Sequence, residues 1–211
     1  MTKLHSRPCR CAISKLIVTY LFCCGLAYGQ ILNQDQEIQV HNLPTLMARS
    51  HDPSDILLTS LDTVFHDREV CCGKDSALEE SVQAADPKSL KDVAGKLDGR
   101  HLLSDGRPIM VSAEYMAPDA VNSGRLIRMI LDQHALLMMW NSNLYVVQGI
   151  VYRWAASGDP TSGSMVTMTV LHKFLLWDMR YSDSRREVVF DRETDDASKV
   201  QGLLSVEVKP Q

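Results

Sequence analysis

The chain has 211 residues, 45% of them hydrophobic, with 22 Lys and Arg against 26 Asp and Glu and a formal charge of −4. An acidic chain without a basic cluster is poorly matched to nucleic acid, because phosphate neutralisation needs Lys and Arg. The length suits a domain able to bury its own core without disulfide staples.

Residues 1–29 read as a signal peptide. Lys3, Arg7, Arg10 and Lys15 give a basic start with no acid, and Leu16 to Tyr28 is an apolar run. That run is shorter than the roughly 20 residues a membrane-spanning helix needs. Ala27-Tyr28-Gly29 places small residues where a signal peptidase cuts. The expected mature chain begins at Gln30, is secreted or periplasmic, and keeps no stable membrane anchor. Of the 22 Lys and Arg, four leave with the signal, so 18 face 26 acids and the charge falls to near −8. Cys9, Cys11, Cys23 and Cys24 leave as well, so Cys71 and Cys72 alone remain. Adjacent cysteines cannot form a conventional staple, because ordinary disulfide geometry wants Cα atoms farther apart. A strained vicinal disulfide, an intermolecular bridge, buried inert thiols or one reactive thiol are the alternatives.

Residues 30–50 are polar and unpatterned, an extended lead-in to a single domain over 51–211. Asp52-Pro53 is a helix start, with a capping carboxylate and then proline at the first helical position. Leu57, Leu61, Val64 and Phe65 share its inner face. Ala77, Leu78 and Val82 continue helical spacing beyond the cysteines. Asp86-Pro87 is expected to open a third helix with Leu90, Val93, Ala94 and Leu97 facing inward, ended by Asp98-Gly99-Arg100. Pro108 to Tyr115 reads as a strand and Val121 to Asp132 as a helix. Ala135–Trp140, Leu144–Trp154 and Met165–Asp178 are rich in β-branched, aromatic and other apolar residues, punctuated by Asn141-Ser142-Asn143 and Gly158-Asp159-Pro160. Arg186–Phe190 and Leu203–Val208 are further strands. Helices lead and a mostly antiparallel sheet follows, an α+β order.

Cys72 precedes Gly73 at a helix start, where unpaired N–H groups and the helix dipole favour a thiolate. A nucleophile also needs a base and an orienter. Pairing Leu144–Trp154 with Met165–Asp178 about a loop near Pro160 sets Asn143 opposite Asp178 at the open end of a hairpin. Cys-Gly at a helix start, then ALLMMW, a polar turn, LYVVQGIVY and a strand ending LLWD together resemble the papain-like cysteine peptidase fold. The likeness is greatest to the bacterial bacteriocin-processing (double-glycine leader) peptidase domains and spans about Val70 to Phe190. The resemblance implies Cys72 as nucleophile, Asp178 as orienting acid and position 143 as the base.

Position 143 is Asn, however, and a carboxamide has no proton affinity near neutral pH. FHDREV, Phe65 to Val70, also lacks the family's oxyanion glutamine. The resemblance therefore implies a pseudopeptidase or an impaired enzyme, binding a peptide or protein in the old cleft. His66, His134 and His172 are the alternative bases, although strand geometry sets His172 about 20 Å from Asp178. A buried inert thiol is the competing role for Cys72, free cysteine being among the most buried residue types.

The acids Asp191, Glu193, Asp195 and Asp196 lack the spacing of a calcium loop and read as a solvated turn. The cysteines lack zinc spacing, and no phosphate loop, serine elbow or dinucleotide fingerprint is present. Neither metal nor cofactor is implied. The alternative reading is an exported, non-catalytic α+β domain with a binding or structural role.

Overall fold

The structure, a computed structural model, describes residues 35–65, 76–102, 106–159, 164–182 and 184–210. It is mixed α+β. Among the described residues are four α-helices and an antiparallel sheet of eight strands: β1 (Gln36–Gln39), α1 (Pro53–Phe65), α2 (Ser76–Gln83), α3 (Leu90–Leu97), β2 (Gly99–Leu102), β3 (Pro108–Met116), α4 (Ser123–Leu131), β4 (Leu136–Trp140), β5 (Asn143–Asp159), β6 (Ser164–Trp177), β7 (Glu187–Asp191) and β8 (Val200–Pro210). No helix among these residues is long and apolar enough to cross a membrane.

The helices form for local reasons. Asp52 Oδ1 accepts from Ser54 N at 2.8 Å, ahead of Pro53, and Leu57, Leu61 and Phe65, four apart, are buried along one face. Ser60 and Thr63 are buried beside them because each hydroxyl donates to the carbonyl four residues earlier, at 2.7 and 2.9 Å. The third helix starts later than the Asp86-Pro87 signal suggests. Asp86 makes a turn instead, accepting from Lys88 N and Ser89 N, and Ser89 caps Asp92 N at 3.2 Å. Asn122 caps α4 by accepting from Arg125 N at 3.1 Å.

Two strands depart from the sequence expectation. Four residues of the lead-in form β1, which pairs with Gly149–Tyr152 of β5. Asp98-Gly99-Arg100 ends α3 as expected, and Gly99 also pivots the chain into the unexpected β2 through a φ of 132°, open chiefly to glycine. Neither four-residue segment carries enough pattern to be read as a strand without its partner.

The sheet order is β2-β3-β8-β4-β5-β6-β7, with β1 also on β5. Strands β4 to β7 follow one another as a meander. β8 then returns to lie between β3 and β4, joining the β2–β3 hairpin to the meander. Leu136 to Met139 are buried without interruption, as are Val146 and Val147 on β5. Successive strand residues point to opposite faces, so the middle of the sheet is covered on both. The far parts of β5 and β6, from Arg153 and up to Met168, belong to a second compact unit. The geometry below concerns the larger unit, Gln36–Tyr152 with Thr169–Gln211.

Candidate functional site

Asn143 is placed by the tight turn from β4 to β5. Trp140 pairs with Asn143, and the two residues between them, Asn141 and Ser142, have φ of 51° and 61°. Two consecutive positive φ values give the turn that matches the right-handed twist of a hairpin, and asparagine tolerates that conformation. β8 holds the turn from the side. Its register shifts beside Met139/Trp140, so Gln201 bulges out and its Oε1 accepts from Ser142 N at 3.0 Å. Gly202 carries the bulge with φ 146°, under the ring of Tyr115, whose hydroxyl donates to Gln201 O at 2.8 Å.

Asp178 follows the last residue of β6 and is buried. Its backbone N donates to Arg186 O at 2.8 Å, and its Oδ1 accepts from Arg180 N at 3.0 Å, which bends the chain back on itself. The Arg180 side chain then curls over the carboxylate. Nε donates to Oδ1 at 2.8 Å and Nη2 to Oδ2 at 2.5 Å, while Nη1 reaches Asn143 Oδ1 at 2.8 Å. Asn143 uses its Nδ2 to donate to Asn141 O at 3.1 Å.

Asn143 and Asp178 are thus brought together, but through a guanidinium. Its hydrogen bonds to Asp178 raise the Arg180 pKa further above an already high range, so it is a fixed cation and not a base. Tyr145 lies in the same surroundings. Burial, reinforced by the Asp178 charge and opposed by Arg180, pushes its phenol above the ordinary range. Behind the turn Arg186 is buried, its Cζ over the Trp177 indole 4.2 Å from the ring centroid, and burial lowers its pKa. Cation–π attraction is substantial for a desolvated pair and offsets part of that burial cost.

In front of Asn143 and Arg180 opens a cleft of about 90 Å³, with His51, Ile56, Lys88 and Leu144 also in its walls. His51 meets the Tyr181 ring edge-on at 6.4 Å. Neither His51 nor Lys88 has a carboxylate within ion-pair distance among the described residues. The cleft can accept hydrogen-bonding or anionic groups. Among its described lining residues it presents no paired acid and base.

Cys72 and His66 lie outside the described residues. His172 is buried on β6 with its Nδ1 3.0 Å from Glu193 Oε1, and His134 lines a separate groove beside α4. The acidic turn is used locally. Asp191 accepts from Glu193 N and pairs with Lys173 Nζ at 3.1 Å, Asp195 accepts from Asp191 N, and Asp196 caps Ser198 N. Arg180, Tyr145 and His51 were missed by sequence reasoning. An arginine two residues after Asp178 was the one available signal, and it reads equally well as an ordinary turn. No protein-family model matches this chain, and no curated protein matches it.

Proposed function

We propose that this chain is an exported, catalytically silent relative of the papain-like peptidases that binds peptides in a cleft beside the β4–β5 turn. The observation that carries the reading is the clamp Asn143–Arg180–Asp178. In a working thiol site the acid at the end of the strand orients a neutral imidazole that takes the thiol proton. Here Asp178 is engaged by Arg180, and Asn143 accepts from the same cation. Such an arrangement holds a cleft wall rigid and offers hydrogen bonds to a bound chain, without moving a proton.

The test is the rate of Cys72 alkylation against pH, on mature protein carrying Cys71→Ser. The expected thiol titrates near the ordinary value of about 8.5, with no peptide cleavage and with retained peptide binding. A thiolate well below that value, or turnover of any peptide, would overturn the silent site. Peptide binding that is absent as well would leave the chain a structural domain.

A further inference from the structure

The hairpin cleft is small and carries one sign of charge. Its floor is apolar and buried, with Ile56 of α1 and Leu144 of β5. Its rim is polar, with His51 ahead of α1, Lys88 in the turn before α3, and Asn143 and Arg180 beside the hairpin. Among its described lining residues there is no acid. The chain has a formal charge of −4, so the cleft runs against the prevailing sign. The larger groove beside α4, about 500 Å³, makes the contrast. Glu114, Asp132 and Glu207 stand in its walls, and Arg125 Nη1 donates to Glu114 Oε1 at 2.7 Å, so that pair is answered within the chain.

Acids next to the cleft residues in the chain are turned to other donors. Asp52 Oδ1 accepts from Ser54 N, Asp55 Oδ2 from Ser50 N and Asp86 Oδ1 from Lys88 N. Asp178 is covered by Arg180 and neutralises it, which leaves Lys88 to supply the net charge. An imidazole keeps an N–H donor even when neutral, so His51 adds a second donor to the rim. At about 90 Å³ the cleft has roughly the space of three water molecules in the liquid. Ordinary small-molecule sites start at about 300 Å³. The cleft therefore has room for one short side chain with its terminal group, and not for a run of several residues.

We infer that this cleft takes the C-terminal residue of a peptide. The free carboxylate lies on Lys88 and the His51 N–H, a short apolar side chain lies on Ile56 and Leu144, and the preceding backbone amide faces Asn143. The inference rests on the reading of this cleft as a peptide site and adds which end of the chain enters it. A carboxylate on an ammonium makes a charge-assisted hydrogen bond. An N-terminal ammonium would meet Lys88 with no acid among the described lining residues to receive it.

Titration calorimetry on mature protein tests this with Gly-Ser-Gly-Ala-Val as the free acid, as its C-terminal amide and as the N-acetylated acid. The free acid is expected to bind, the amide roughly tenfold more weakly, and the N-acetylated acid as well as the unblocked one. Tryptophan in place of the last valine should weaken the free acid as much, because the ring does not fit. Lys88→Gln, at an exposed position, should shrink the preference for acid over amide by about two- to fivefold. Acid and amide bound alike, a penalty for N-acetylation, a terminal tryptophan tolerated, or a preference indifferent to Lys88→Gln would each overturn the terminal assignment while peptide binding stands. Failure of every probe to bind at about 10 mM would overturn the peptide reading along with it.

Discussion

Replacing Arg180 by methionine removes the guanidinium that spans Asp178 and Asn143 while keeping an unbranched side chain of similar reach. Asp178 then keeps one donor, the Arg180 backbone N at 3.0 Å, and loses those that served Oδ2. Stripping the partner from a fully buried ion pair costs about 3–5 kcal/mol. The Asp178 side chain is 4% exposed and that of Arg180 25%, so water reaches part of the vacated space and the expected cost falls to about 2–3 kcal/mol. For a domain of this size that is a drop of roughly 5–10 °C in Tm. The assay is urea unfolding of wild type, Arg180→Met, Asp178→Asn and the double variant. With the pair as the main interaction, the double variant is less destabilised than the sum of the singles by about 2 kcal/mol. A single-variant cost below about 1 kcal/mol, or simple additivity, would refute the argument that a desolvated clamp holds this corner.

Three further outcomes are expected. Gly149→Ala would set a Cβ 2.6 Å from Ile38 O and push β1 off β5; a loss of about 1–3 kcal/mol should come with faster amide exchange at Val40, whose N–H bonds Gln148 O at 2.7 Å, and unchanged exchange there would count against it. Asn122→Ala should cost about 1 kcal/mol by removing the α4 cap, with Asn122→Asp largely restoring it in the same unfolding assay. Glu114→Gln should cost less than about 1 kcal/mol, since both partners are half-exposed. The folded Glu114 pKa lies below its unfolded value, so the pair stabilises above the ordinary carboxylate range and its contribution disappears as pH falls through the depressed folded value. Urea midpoints of wild type and variant should therefore converge at acid pH and in high salt.

Some of this molecule is written locally. The caps at Asp52, Ser89 and Asn122, the buried rows of α1 and α3, and the turn at Asn141-Ser142 depend on residues within about four positions of one another. Those signals lie close together in the chain, so the α+β character and most elements could be read in advance, although helices this short are held by packing. Tertiary structure decided the return of β8 between β3 and β4, the capture of β1 by β5, and the bulge at Gln201 that steadies the Asn143 turn. It also decided that Arg180 closes over Asp178 and Asn143, and that Ser205, Glu114 and Arg128 line one groove. A strand takes the partner that lets both its faces be buried and its backbone bonded, and that choice rests on residues scores of positions away. Alternation along one strand says which residues lie together on a face, but not which other strand or helix will meet it.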